Sequence, residues 1–325
     1  MRPRRTVDAQ AGFGRPLLQQ LRRLLFLLAV GYLLQLPGFN FAKLVHTATR
    51  AEWLAFYQAD VLQCIAVTLF VLVALRLVLR SEQRLYAALT VIALGLVFVS
   101  PAVWSLDALA LAPAPIAQYL NGRHGSRFPL FPWSAFLLAG AVCGYGFTQA
   151  SLHAGWGSQQ QTETRFMRRT TAVGAVLIVV ALLAEWSAAT RHGVPGYWRY
   201  SPSFFGLRLG IVMVLCAAMY FYERRRGVAA RSAVTLLGRQ SLLVYATHLL
   251  LIFGTVGTVG FSRWVDASYG YGEALLAALI LIALMYLLAF GWAWLRRQHP
   301  RLKLGVQLGA LVVAAGVLFL RRPPR

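Results

Sequence analysis

The chain predicts an all-α fold, a polytopic bundle of transmembrane helices. Two observations carry this reading. Apolar runs near 20 residues recur along the sequence, each long enough to cross a hydrocarbon core about 30 Å thick. Basic residues crowd into alternate gaps between those runs. Composition agrees: 58% of the 325 residues are hydrophobic and 13% charged, where soluble domains carry about 45–50% and about 25%. A net charge of +22 would suggest nucleic acid in a soluble protein. Here the arginines flank spans, where the positive-inside bias and anionic headgroups place them. Nucleic acid is not an expected partner; membrane lipid is.

Residues 1–23 form a basic arm with six Arg and no long apolar core, so the arm is not a signal peptide. A helical membrane domain, 24–320, follows, and a basic tail, 321–325, closes the chain. About nine spans are expected, at about 24–42, 59–79, 85–105, 130–150, 171–189, 203–222, 236–258, 273–294 and 303–320. Pro37 interrupts the first. The stretch 106–118 is apolar but holds Asp107, Pro113 and Pro115, so it reads as interfacial or re-entrant. The polar gap from His153 to Arg169, with its Gln159–Gln161 run, reads as a loop without a fold.

Arg and Lys number six in the N-terminal arm, three in the 76–84 turn, three in 153–169, five in 223–239 and four in 295–303. The alternate gaps hold two (Lys43, Arg50), two (Arg123, Arg127), two (Arg191, Arg199) and one (Arg263). The positive-inside rule therefore predicts a cytoplasmic N-terminus, with the 40–57, 106–128, 190–201 and 259–272 loops outside. Arg321, Arg322 and Arg325 would then fall outside, against the rule. Either the last helix does not cross or the tail is a tolerated exception. Cys64, Cys143 and Cys216 each lie inside an apolar run without CxxC spacing, which predicts free thiols and neither a metal site nor a disulfide framework.

A few polar positions resist this account, because an ionisable group inside a span costs about 2.5–3.5 kcal/mol on insertion scales. Asp60, Gln63 and Cys64 share a helical stripe at the start of the second span. Arg208 lies six residues past Pro202, about 9 Å into its span; an ion pair with Asp60 would satisfy both. His248 sits near mid-span, with Ser241 and Tyr245 on the same stripe. A neutral His there serves as acid or base, or merely bridges helices. Arg123, Arg127, Trp133, Trp198 and Arg199 combine aromatics and cations in the outer loops, suited either to a sugar ring or anion or to the aromatic belt of the interface. Arg239 and Ser241 flank a helix start at the cytoplasmic face, with Arg224, Arg225 and Arg226 nearby in sequence. Such a helix N-terminus favours phosphate, as in coenzyme A, although ordinary positive-inside residues would read the same.

The segments Gln58-Ala-Asp-Val-Leu-Gln-Cys-Ile65, Phe128-Pro-Leu-Phe-Pro-Trp133 followed by Gly140 and Gly144, and Gly238-Arg-Gln-Ser-Leu-Leu-Val-Tyr-Ala-Thr-His248 together resemble the membrane domain of the heparan-α-glucosaminide N-acetyltransferase family, nearest to its bacterial members. Arg22-Arg23-Leu-Leu-Phe-Leu-Leu-Ala-Val-Gly-Tyr32 resembles the segment after that family's first helices. The resemblance implies a multi-pass acyltransferase of the bacterial inner (plasma) membrane. It would use acetyl-CoA as donor and a sugar amine, a hydroxyl or a similar acceptor. Asp60, Trp133, Arg239, Ser241, Tyr245 and His248 occupy matching positions. By the same resemblance the chain opens where the family has already made two or three passes. The family's N-terminal acid/base histidine and Asp-x-x-Arg-Gly-like start are then expected to be missing; His46, His124 and His192 are candidate substitutes.

The expected site is a cavity between spans two, four, six and seven. His248, Tyr245 and Asp60 are the catalytic candidates. Arg239, Ser241, Arg224 and Arg225 are candidates for the coenzyme phosphates. Arg123, Arg127, Trp133, Trp198, Arg199 and Arg208 are candidates for the acceptor. Two alternatives stay open: a transporter or flippase for a small polar or lipid-linked substrate, and a shortened, inactive family member. The sequence also leaves a homo-oligomer open.

Overall fold

The computed structural model describes residues 14–37, 41–152, 158–188, 197–227, 232–253, 270–299 and 316. Among them the regular elements are helices: α1 (Arg15–Leu34), α2 (Phe41–His46), α3 (Arg50–Phe56), α4 (Val61–Val78), α5 (Glu82–Ser105), α6 (Ala108–Leu111), α7 (Ala114–Leu120), α8 (Leu130–Leu152), α9 (Gln159–Ala188), a 3-10 turn (Tyr197–Tyr200), α10 (Pro202–Arg226), α11 (Ala233–Arg239), α12 (Ser241–Phe253) and α13 (Tyr271–Gln298). Seven are long and apolar enough to span a bilayer, or up to eight if α11 and α12, bent by 84° to one another, form one broken span. The chain is a multi-pass, all-helical membrane protein. The expected ninth span, 303–320, lies almost wholly outside the described residues.

Two elements begin earlier than the apolar runs suggest. α1 starts at Arg15 and α9 at Gln159, so residues 159–169 are helix rather than a structureless loop. Long straight side chains such as Gln, Glu and Arg are good helix formers, so each helix extends past its apolar run. The 106–118 stretch folds into the short helices α6 and α7, neither able to cross a bilayer. Asp107 starts α6 by accepting the Leu109 N–H (3.1 Å), and Pro113 precedes α7, where its missing N–H costs nothing.

The chain divides into two compact units. The first takes the described residues up to Tyr32 and from Tyr57 to Arg225. Its core is a ridge on α5, Leu85, Leu89, Ala93 and Val97, at steps of one helical turn, packed on Ala135 and Leu138 of α8 and Phe205 of α10. α9 and α10 cross at bare backbone: Gly174 and Gly210 face each other so closely that a Cβ on Gly210 would stand 2.5 Å from the Gly174 carbonyl. Small residues permit such approaches between membrane helices. The second unit takes residues 33–56 and the described residues from Arg226 onward. In it Met285, Ala289 and Ala293 form the buried stripe of α13.

Candidate functional site

The N-termini of α4, α8 and α10 gather at one end of the first unit, and a polar loop locks them. Asn121, buried, donates its Nδ2–H groups to the Val103 (2.9 Å) and Leu106 (3.0 Å) carbonyls, closing the end of α5. Ser126 Oγ lies 2.6 Å from Gln118 Oε1 and 2.7 Å from the Gln118 carbonyl, and accepts the Ala59 N–H at 3.0 Å. The Phe128 N–H donates to the Ala59 carbonyl (3.0 Å). Gly125, at φ 102°, lies against the Gln58 side chain, a backbone conformation and a proximity that glycine allows. These bonds fix the segment that leads into Asp60.

Asp60 caps α4, accepting the Val61 N–H at 2.8 Å, and its other oxygen stands 3.9 Å from Arg127. The ion pair expected between Asp60 and Arg208 is not formed. Asp60 faces the 121–128 loop, whereas the Arg208 guanidinium lies 3.9 Å from the centre of the Phe204 ring and 5.7 Å from that of Trp133. Flat guanidinium groups stack well on aromatic faces. Asp60, Gln63 and Cys64 also part company. Neighbouring residues on a helix are turned about 100° apart, so Cys64 lines the cavity described below. Gln63 is fully buried against Gly31 of α1, and among the described residues its amide has no hydrogen-bond partner.

A cavity of about 800 Å³ opens between α4, α8, α9 and α10. Phe128, Trp133 and Arg208 lie at one end; Phe147, Phe166, Met167 and Thr170 lie at the other. Spans two, four and six therefore line it as expected, and span five does as well. Span seven belongs to the second unit. Trp133 is held edge-on between Phe128 (4.7 Å) and Phe204 (5.5 Å). Trp198 packs edge-on against the same Phe204 (5.7 Å), so the two tryptophans and Arg208 share one aromatic support.

The outer-loop candidates differ in freedom. Arg123 donates to the Ser105 carbonyl (2.7 Å) and ties its loop to α5. His124 Nε2 and Asp107 Oδ1 are 2.8 Å apart; this hydrogen bond, with the Leu109 N–H and the nearby Arg123 charge, holds the Asp107 carboxyl below its ordinary value. Burial and the phenol of Tyr32 (2.8 Å away) push the Tyr119 hydroxyl up. Arg199 is exposed, as is Arg127.

At the opposite end Arg224 is engaged with its neighbours. It donates to Tyr220 Oη (2.6 Å), Thr164 Oγ1 (3.1 Å) and the Gln160 carbonyl (3.2 Å), pinning α10 to α9. Arg225 is exposed. Glu163, which sequence reasoning passed over, accepts from Ser151 Oγ and Gln159 Nε2, both at 2.9 Å. Its one sequence signal is the four-residue step from Gln159 on what proves to be a helix. Glu185, inside the fifth apolar run, was also overlooked; one of its carboxylate oxygens is buried without a partner among the described residues.

The second unit carries the remaining candidates. α11 ends at Arg239, Gln240 is buried at the bend, and α12 begins at Ser241, so a helix start does stand where the sequence suggested. Arg239 and Ser241 are exposed. His248 Nδ1 lies 3.0 Å from the Val244 carbonyl. A carbonyl only accepts, so Nδ1 carries the hydrogen, and in the neutral ring the Nε2 lone pair is left to accept a proton. Tyr245 meets the His248 ring edge-on at 5.4 Å. Among the described residues no three His, Cys, Asp or Glu converge as a metal would require.

Comparison with known sequences places these residues in context. The family description "heparan-alpha-glucosaminide N-acetyltransferase, catalytic" matches residues 7–183. No curated protein and no solved structure matches the chain. The matched segment contains Asp60, the 121–128 loop and Trp133, and stops short of Trp198, Arg208, Arg224, Arg239 and His248. It covers more than half of the sequence, and the chain therefore belongs to the heparan-α-glucosaminide N-acetyltransferase catalytic-domain family.

Proposed function

We propose that the protein transfers an acetyl group from acetyl-CoA on the cytoplasmic side to a sugar or similar acceptor on the other side of a bacterial inner membrane, with its N-terminus in the cytoplasm. The observation that carries this reading is the match to the acetyltransferase catalytic domain over residues 7–183, which holds Asp60, the 121–128 loop and Trp133. Beside these residues lies the apolar cavity of the first unit, whose lining on α8 runs from Trp133 to Phe147, about 21 Å at 1.5 Å per residue.

In this reading His248 Nε2 takes the proton that the acceptor's amine or hydroxyl loses as it attacks the thioester carbonyl; the C–S bond then breaks and the proton passes to the departing coenzyme A thiolate, with Tyr245 holding the ring. Asp60 acts at the entrance, where it positions Arg127 and the 121–128 loop. Arg123, Arg127, Trp133, Trp198, Arg199 and Arg208 meet the acceptor. For the coenzyme phosphates the candidates are Arg239 and Ser241 in the second unit and Arg225 in the first, where Arg224 fixes the end of α10.

A transporter reading is favoured by one observation, the 84° break between α11 and α12, because transporters bind substrate at interrupted helices. Titrating acetyl-CoA into the purified protein separates the two. The acyltransferase reading expects saturable binding, weakened about ten-fold or more in Arg239→Ala, since one charge-assisted contact contributes about 1.5–3 kcal/mol. No saturable binding, with wild type and Arg239→Ala alike, would sink it. Intact binding without turnover would favour an inactive family member.

A further inference from the structure

We infer that the cavity of the first unit is a lipid slot: it holds a hydrocarbon chain of an anionic membrane lipid whose phosphate sits at Arg208. If the acetyltransferase reading holds, the acceptor is carried on such a lipid.

The lining decides against a more polar occupant. Among the described lining residues Arg208 supplies the one charge and Thr170 the one hydroxyl, beside apolar side chains such as Ile65, Leu137 and Met213. A pantetheine arm with its amides, or a sugar ring with its hydroxyls, would lose its hydrogen bonds to water there without replacement. A hydrocarbon chain loses nothing.

Arg208 supplies the polarity. It lies six residues into α10, about 9 Å along the helix, and its guanidinium reaches back over Phe204 toward the start of the span, the direction in which long cationic side chains meet headgroups. Among the described residues no carboxylate pairs with it; it rests on the Phe204 and Trp133 rings. An intramembrane cation without a partner calls for an anion, and lipid phosphate is available at that depth.

The dimensions and the entrance fit. The lining extends about 21 Å along α8, more than the roughly 15 Å that half the hydrocarbon core measures. Among the described residues one wall is bare: a Cβ on Gly140 or Gly144 would meet nothing within 4 Å. Both glycines, with Val212 and Cys216, are exposed, so the slot opens sideways along the span rather than only at its end.

The test is native mass spectrometry of the full-length protein carried from bilayers of equal phosphatidylglycerol and phosphatidylcholine. The expected result is one retained phosphatidylglycerol, preferred roughly ten-fold, because the phosphate of phosphatidylcholine is already balanced by its own choline cation and gains less from Arg208. Arg208→Gln should abolish the preference and Arg208→Lys should keep most of it. Gly144→Trp, which fills open space, should eject the lipid at an unchanged thermal midpoint. Equal retention of both lipids, an unaffected Arg208→Gln, or an unaffected Gly144→Trp would each overturn the slot. The function stands or falls apart from this: lipid retention without acetyl transfer sinks the acyltransferase and spares the slot. Acetylation of a free sugar with no lipid retained does the reverse.

Discussion

Two glycine pairs at identical spacing should respond oppositely to the same methyl group. Gly206 and Gly210 on α10 meet α9, where a Cβ on Gly210 would come within 2.5 Å of the Gly174 carbonyl and 2.8 Å of Ile178 Cγ1. Gly140 and Gly144 on α8 face open space. Gly→Ala inside a helix gains about 0.5–1 kcal/mol from propensity, and this gain is common to both sites. The Gly210 methyl must also push one backbone from another, and overpacking of that kind costs about 1–3 kcal/mol. Gly210→Ala should therefore be less stable than Gly144→Ala by about 1–3 kcal/mol. Equilibrium denaturation in mixed micelles measures it, with thermal unfolding as a second readout. Gly174→Ala should cost a similar amount, because its Cβ would stand 2.8 Å from the Gly210 carbonyl. The double variant should cost less than the sum, since one separation of the helices relieves both clashes. Equal stability of Gly210→Ala and Gly144→Ala would refute the close crossing of α9 and α10, and with it this wall of the cavity.

The polar cap gives further expectations. Asn121→Ala leaves the Val103 and Leu106 carbonyls without their buried donor and should cost about 1–3 kcal/mol, read by the same denaturation; Asn121→Asp, which lacks the amide donors, should not rescue it. The Asp107 carboxyl is held below its ordinary 3.8, first by His124. Its tie to α6 and the loop therefore persists at pH values above 3.8 and is lost as the pH falls through the lowered value. In His124→Ala the Asp107 titration followed by carbon NMR should move up toward 3.8, and an unmoved titration would remove His124 as the cause.

Uniform apolar runs made the long spans legible, because about 20 such residues have few alternatives to a transmembrane helix. Their amphipathic extensions were less so. Gln159–Arg169 reads as polar linker, yet its residues are good helix formers that continue a span already nucleated downstream. Pro101 inside α5 likewise did not break the predicted 85–105 span. The depth of Arg208 and the separateness of Asp60 at a helix start were readable; their partners were not. A sequence gives the height of a residue along its helix, whereas stacking on Phe204 depends on how α10 is rotated against α8. The cavity was expected between spans two, four, six and seven; spans two, four and six line it, span seven does not, and α9 does, through Phe166, Met167 and Thr170, which lie in the part mistaken for loop or span edge.

The fate of a labelled acetyl group tests the central claim most directly. Purified protein in sealed bilayers should be given acetyl-CoA labelled in its acetyl carbons, with lipid extract or amino sugar as acceptor. The account predicts time-dependent label in an acetylated acceptor and free coenzyme A in equal amount, with His248→Ala reduced at least 10²-fold, as loss of a general base implies. Label that stays on coenzyme A with every acceptor, while acetyl-CoA fails to bind, would contradict it.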